Sequence, residues 1–216
     1  MADLKNYVSQ TIHVGNGEWW AEYGLVASGW NEEPPTELHA PLTFAQQDPR
    51  WKNELMGGVY QTIGGYGCAM VCACMVYSQG NTDITPREFN AVLNSNAGYN
   101  IIGGNEAHLA WDRLPAIFSS LEFVGRRTWT RLLEDVDIQE VYTKIDAHPL
   151  ILYVDFRPNV AGMQTHFVLA TGYTDTDIEI IDPWEGVRVG LMARYGRGGD
   201  DTLKRAIWGY RELVVS

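Results

Sequence analysis

A continuous apolar run, Ala69–Tyr77, follows a glycine-rich stretch and constrains the fold more than any other feature of the sequence. Because the run is apolar on every side, it predicts a buried helix that ends near Gly80. Cys68 stands directly before the run, so its thiol lies at the start of the predicted helix. The glycines of Gly64–Gly67 allow the preceding backbone to turn tightly and leave that thiol open to a substrate.

The second half of the chain has the pattern of an antiparallel sheet. Leu150–Val154 is a near-continuous apolar run, which is typical of a central strand buried on both faces. Further strands are predicted at His166–Tyr173 and Ile178–Ile181, which form a hairpin around Thr174–Asp177, and at Val187–Met192 and Ala206–Val215. Short amphipathic helices are predicted after Thr85 and Asp137. The sequence therefore predicts an α+β fold, in which a helical half faces an antiparallel half across a cleft.

Length, charge and cysteine count exclude several classes of protein. The chain has 216 residues, enough for one sizeable domain. Its net charge is −11 and no basic stripe is present, which argues against a nucleic-acid partner. The three cysteines all lie within Cys68–Cys74, so they cannot form a disulfide framework. No apolar stretch is long enough to predict a membrane span.

Residues 1–41 differ from the rest of the chain and predict an acidic, aromatic N-terminal arm or linker, followed by a domain at residues 42–216. This arm carries six acidic side chains against Lys5 alone, and its Asn31–Thr36 stretch has the paired prolines of an extended linker. The charge serves either solubility or attachment to a protein partner. The first residues lack the pattern of a secretory signal, so the chain is expected to be cytoplasmic as synthesised or associated with a virion.

Cys68 is the candidate nucleophile. A free cysteine has a pKa of about 8.5 and is mostly protonated at neutral pH, so it needs a nearby cation or dipole to become reactive. The start of a helix supplies the positive end of the backbone dipole. The simplest alternative is a small apolar residue of a core helix, which is the interpretation that we give to Cys72 and Cys74.

His166 and Asp182 are the candidate base and orienting carboxylate. Of the five histidines, His166 alone begins a strand of apolar character, where a polar ring needs a specific role. A hairpin loop of three or five residues would project both side chains from one face as near neighbours, whereas a four-residue loop would put them on opposite faces. If both side chains project from one face, they complete a nucleophile–base–orienter triad with Cys68.

Acyl transfer also needs hydrogen-bond donors for the developing oxyanion. The Cys68 backbone N–H is the first candidate, and Gln46 or Gln47 can supply a second from a side-chain amide; the sequence does not separate them. A zinc site is disfavoured because one helix cannot direct three cysteines tetrahedrally. The acidic and glycine-rich segments of the chain lack the residues that characterise calcium-binding and phosphate-binding loops, so no metal or organic cofactor is expected.

Five segments of the chain resemble papain-like cysteine peptidases of the bacteriocin-leader, or double-glycine, type, in the stand-alone branch without a transporter. The segments are Gln46–Trp51, Thr62–Met70, Thr85–Asn90, His166–Tyr173 and Ile181–Gly186. The resemblance runs from about residue 42 to about residue 195. It implies a papain-like fold, with Cys68 as nucleophile, His166 as base and Asp182 as orienter. It also implies Gln46 in the oxyanion hole and no cofactor.

These observations predict a bacterial or bacteriophage hydrolase, a thiol protease that cleaves peptide bonds or peptidoglycan cross-links through an acyl-enzyme thioester. An amide-forming transferase would use the same residues. The alternative from another class is a catalytically silent, papain-like binding or assembly module, such as a component of a phage particle, attached through residues 1–41. Threading of the arm through the cleft would instead indicate autoinhibition.

Overall fold

The computed structural model describes the backbone of residues 10–14 and 17–21, together with residues 38–129, 136–196 and 203–216. The chain divides into two compact units, Met1–Thr36 and Glu37–Ser216. In the first unit, strands β1 (Gln10–Val14) and β2 (Gly17–Ala21) pair as an antiparallel hairpin. The predicted attachment role of residues 1–41 falls largely outside the described residues.

The first part of the larger unit is mainly helical and begins with α1 (Ile63–Tyr66) and α2 (Cys68–Tyr77). The remaining elements are α3 (Pro86–Ser95), the hairpin strands β3 (Tyr99–Ile102) and β4 (Glu106–Leu109), a 3-10 turn (Trp111–Arg113) and α4 (Leu114–Ile117). Helix α3 starts as predicted, because Thr85 and Glu88 form a capping box and Pro86 occupies the first turn.

The second part is a six-stranded antiparallel sheet with the strand order β5-β10-β6-β7-β8-β9. Its strands are β5 (Leu121–Thr128), β6 (Leu150–Asp155), β7 (Thr165–Tyr173), β8 (Ile178–Asp182), β9 (Val187–Gly190) and β10 (Ile207–Val215). Helix α5 (Ile138–Ala147), capped by Asp137, precedes β6, and the short helices α6 (Leu191–Tyr195) and α7 (Leu203–Ala206) precede β10. The predicted α+β class is confirmed.

The central strands of the sheet are buried on both faces because helices pack against each face. On one face, Ile151, Leu169 and Ile181 join α2 in a core cluster. On the other face, Leu152 and Val168 join residues of α5 and α6 in a second cluster. Alternate side chains of β6 therefore enter different cores, which explains why this strand is continuously apolar, as predicted. Within the described residues, no helix has the length and hydropathy needed to cross a membrane.

Candidate active site

Cys68 is the first residue of α2 and is half-buried, whereas Met70–Val76 of the same helix is buried. The predicted glycine loop before it is instead a helical turn, α1, which Thr62 caps by accepting a hydrogen bond from the Gly65 backbone N–H. Gly67 joins the two helices, and a Cβ at this position would lie 2.5 Å from the Ile63 carbonyl oxygen. Glycine is therefore required here for close backbone packing that directs Cys68 toward solvent.

His166 and Asp182 lie on neighbouring strands, β7 and β8, and are hydrogen-bonded. The distance from His166 Nε2 to Asp182 Oδ1 is 2.9 Å, and both side chains are buried. Tyr173 pairs with Ile178, so the hairpin loop has four residues, Thr174–Asp177. That is the loop length for which a regular ladder would place the two side chains on opposite faces.

A β-bulge in β7 brings the side chains of His166 and Asp182 to the same face of the sheet. Ala170 pairs with Ile180 and Gly172 pairs with Glu179, so Thr171 is an extra residue on β7. The bulge shifts the register by one, and Leu169 then pairs with Ile181. His166 and Asp182 consequently project from the same face, where a diagonal contact brings their side chains within hydrogen-bond reach.

Asp182 accepts hydrogen bonds at both carboxylate oxygens. Oδ1 accepts from His166 and from the backbone N–H of Trp184 at 2.9 Å. Oδ2 accepts from Arg194 Nε at 2.7 Å and from the Tyr195 hydroxyl at 2.6 Å. Burial raises the pKa of Asp182, but the hydrogen bond and charge of His166 outweigh it, so that the pKa falls to about 2. Asp182 is thus a fully buried, ionised carboxylate.

Sequence analysis did not find Arg194 and Tyr195, which α6 brings to the outer oxygen of Asp182. Arg194 also forms an ion pair with Glu185, at 2.7 Å from Nη2 to Oε2. Arginine and tyrosine are common surface residues, and their separation from Asp182 follows no motif. Only the packing of α6 against β8 identifies them as the residues that hold the carboxylate in place.

Cys68 and His166 line the same cleft, and each shifts the pKa of the other. Since Nε2 of His166 faces Asp182, the remaining ring nitrogen, Nδ1, is the one that can serve the thiol. Burial alone would raise the pKa of Cys68. The effects of His166 and of the backbone N–H groups of Phe167 and Ala69 are together larger, so the pKa falls below its ordinary value. Burial lowers the pKa of His166, yet Asp182 and Cys68 together raise it to about 9. These opposite shifts favour a thiolate–imidazolium pair at neutral pH.

Aromatic rings surround the imidazole. The Phe156 ring lies 4.9 Å from both the His166 ring and the Trp184 ring, between centroids. Tyr195 contacts the imidazole from another direction, with its ring centroid 5.6 Å away. These contacts limit the orientations available to the His166 ring and shield its hydrogen bond to Asp182 from water.

Gln46 lies beside Cys68 in the cleft. Its Nε2 donates to the Gly64 carbonyl at 2.9 Å, and its backbone N–H donates to the Pro183 carbonyl at 2.6 Å. An amide nitrogen carries two hydrogens, so one donor remains after the bond to Gly64. Gln47 also donates to the Gly64 carbonyl, but of the two glutamines only Gln46 is among the described residues that line the cleft.

The cleft has a volume of about 950 Å³ and is open to solvent. One wall consists of α1, the start of α2 and the β3–β4 hairpin, and the other is formed by strands β5, β10, β6 and β7. Cys68, His166 and Gln46 lie in this cleft, while Asp182 is buried behind His166. The four residues predicted for the site are thus brought together.

Of the other described histidines, His108 also lines the cleft, whereas His39 and His148 do not. His108 pairs with Glu106 on the exposed β3–β4 hairpin, and His148 contacts Glu212. His39 is exposed, and its backbone N–H donates to the Gln79 carbonyl. His13 is part of β1, where only the backbone is described. Among the described residues, no group of three or more histidine, cysteine or acidic side chains is arranged to hold a metal ion.

Comparisons with protein-family models, curated proteins and solved structures found no match. The chemical interpretation of the site therefore rests on its own geometry. A half-buried cysteine whose pKa is lowered, an imidazole that lowers it and a buried carboxylate hydrogen-bonded to the imidazole can together carry out nucleophilic attack and proton transfer.

The site predicts selective alkylation of Cys68. Near pH 6, iodoacetamide should modify Cys68 at least about tenfold faster than Cys72 or Cys74, because only a thiolate reacts. Burial raises the pKa of both other thiols well above the ordinary value. Peptide mass spectrometry after short exposures measures the three rates. His166→Gln should slow alkylation of Cys68 strongly at this pH, since burial would then dominate its pKa. Equal rates at the three cysteines would contradict an activated thiolate.

Proposed function

We propose that this protein is a cysteine-type peptidase, or a related amide hydrolase, with a papain-like fold. Cys68 is the nucleophile, and His166 is the general base and acid. Asp182 orients the imidazole, and Gln46 donates to the oxyanion. The observation that carries the proposal is the hydrogen bond from His166 to the buried Asp182, in a cleft that is also lined by Cys68 at the start of α2. The lowered pKa of Cys68 and the raised pKa of His166 support it.

In the first half of the reaction, the Cys68 thiolate attacks the carbonyl carbon of the scissile amide and forms a C–S bond. The carbonyl oxygen becomes an oxyanion that accepts from the Cys68 backbone N–H and from the Gln46 amide. The intermediate collapses as the C–N bond breaks, and the departing amine takes the proton from the His166 imidazolium. The products are a free amine and a thioester on Cys68.

In the second half, water attacks the thioester carbonyl while the now neutral His166 accepts a proton from it. Breakage of the C–S bond releases the carboxylic acid and restores the thiolate–imidazolium pair. Asp182 stays ionised throughout and stabilises the positive charge on His166 whenever it forms. The buried Oδ1–Nε2 hydrogen bond supports this role, because it fixes which ring nitrogen faces the sulfur.

The acyl-enzyme is the species that tests this proposal. Incubation with a mixed peptide library or with peptidoglycan fragments, followed by rapid acid quenching, should give protein with an added acyl mass on the Cys68 peptide. Hydroxylamine should remove that mass, as expected for a thioester. Cys68→Ala should give no adduct. Complete absence of adducts and of cleaved products from all substrates would favour the alternative, a catalytically silent binding or assembly module.

A further inference from the structure

We propose that Arg126 and Arg211 form a subsite for a substrate carboxylate in the active-site cleft. This inference rests on the proposed function for its substrate class, since it specifies which peptides the cleft accepts. The carboxylate belongs either to an acidic side chain or to a free C-terminus of the peptide.

The two arginines are direct cross-strand neighbours. Arg211 on β10 pairs with Arg126 on β5, and both side chains line the cleft. Like charges directly opposite each other destabilise an antiparallel pair, so this arrangement is unfavourable for the sheet alone. The chain has a net charge of −11, so two adjacent positive side chains that line one cleft depart from its overall negative charge. A bound anion would remove the repulsion between them.

Neither arginine has a carboxylate partner among the described residues. Arg211 Nη1 donates to the Tyr210 carbonyl at 2.8 Å, and its buried Nε has no acceptor in the described part of the chain. The neighbouring Arg127 is different, because it projects from the other face of β5 and forms an ion pair with Glu140. In the described part of the chain, Arg126 and Arg211 therefore keep N–H donors that are available to a carboxylate.

Phe167 links the proposed subsite to the candidate catalytic residues of the same cleft. Phe167 follows His166 on β7, and its ring lies 5.7 Å from the Arg211 guanidinium carbon. Cys68, Phe167 and the two arginines line the same cleft. A peptide bound at Cys68 thus passes within reach of the two arginines. The single described carboxylate of the cleft lining, Glu106, lies on the opposite wall and contacts His108 at 3.2 Å.

Peptide binding to Cys68→Ala protein tests the subsite without turnover. The probes are fluorescent peptides in matched pairs that differ only in glutamate against glutamine at one position, and pairs that differ only in a C-terminal carboxylate against an amide. Fluorescence anisotropy should show about tenfold tighter binding of the carboxylate member in at least one type of pair. The type of peptide pair that shows the difference in affinity identifies the source of the carboxylate. Added salt should reduce the difference.

Arginine variants in the same Cys68→Ala background provide the controls. Arg126→Gln, on an exposed side chain of the edge strand, should reduce the preference with little effect on folding, and Arg126→Gln combined with Arg211→Gln should abolish it. Arg127→Gln changes the net charge equally, one residue away on the opposite face, and should keep the preference. Equal affinity within every pair, or a preference that survives the double substitution, would overturn the subsite.

The outcomes separate this inference from the proposed function. Acyl-enzyme formation without a carboxylate preference would leave the peptidase intact and remove the subsite. A carboxylate preference that depends on the two arginines, without any acyl-enzyme in the protein that retains Cys68, would leave the subsite and remove the peptidase. Failure of both measurements would remove both.

Discussion

Replacing Cys68 with alanine should lower the rate of peptide hydrolysis by at least about 10⁴-fold, because no other described thiol can form the thioester. The comparison is kcat on any substrate that the wild-type protein cleaves, measured for wild-type and variant protein at equal concentration. Circular dichroism and thermal unfolding should be nearly unchanged, since the Cys68 side chain is partly exposed at the helix start.

Cys72→Ala is the matched control for that substitution. Cys72 lies one turn further along the same helix and is fully buried. Its removal leaves a small cavity, so it should lower stability by about 1 kcal/mol while kcat stays within about twofold. If Cys72→Ala abolished activity as completely as Cys68→Ala, or if Cys68→Ala retained activity, the assignment of the nucleophile would be wrong.

Asp182→Asn should damage both stability and activity. Asp182 is fully buried and accepts from Arg194, Tyr195, His166 and the backbone of Trp184. Loss of its charge leaves the buried His166 without its anionic partner and leaves the partly exposed Arg194 with Glu185 alone. We expect a loss of about 3 kcal/mol in the free energy of unfolding, measured by urea denaturation. We also expect a fall of about 10²- to 10⁴-fold in kcat, because the imidazole loses the partner that selects its tautomer.

Glu185→Gln controls for the charge of the same ion-pair cluster. Glu185 contacts Arg194 from the solvent side and is largely exposed, so its removal should cost less than about 1 kcal/mol and leave kcat nearly unchanged. A similar loss of stability in Glu185→Gln and Asp182→Asn would contradict the expectation that the buried carboxylate contributes more to stability than the exposed one. Full activity in Asp182→Asn would contradict the orienting role.

The stability difference between wild-type protein and Asp182→Asn should depend on pH. The lowered pKa of Asp182 contributes stability that is present above the unfolded value of 3.8 and is lost as the pH falls through about 2. The raised pKa of His166 contributes stability that is present below the unfolded value of 6.5 and is lost as the pH rises through about 9. The difference should therefore be largest between about pH 4 and 6.5 and decrease on both sides.

Local patterns predicted the elements that carry the site. The apolar run after Cys68 predicted a buried helix, because a segment without a polar side must be covered by other elements. The continuous run in β6 predicted a strand with cores on both sides for the same reason. His166 stood out because a polar ring at the start of an apolar strand needs a partner, and Asp182 follows on the next strand.

The contact between those two partners was not predictable, because it depends on one unpaired residue. The four-residue loop taken alone places His166 and Asp182 on opposite faces, and the bulge at Thr171 reverses that outcome. Thr171 itself carries no signal for a bulge, and the glycine that follows it, Gly172, is compatible with a bulge without fixing its position.

Sequence alone predicted which residues could carry the chemistry and where several of the helices and strands lie, since these follow from hydrophobic periodicity and capping over short distances. Tertiary structure decided how the site is completed. Arg194 and Tyr195 reach Asp182 through the packing of α6, and Arg126 and Arg211 meet through the pairing of β5 with β10. Such contacts join residues far apart in the chain, and they form only because the sheet and its two cores bury apolar surface together.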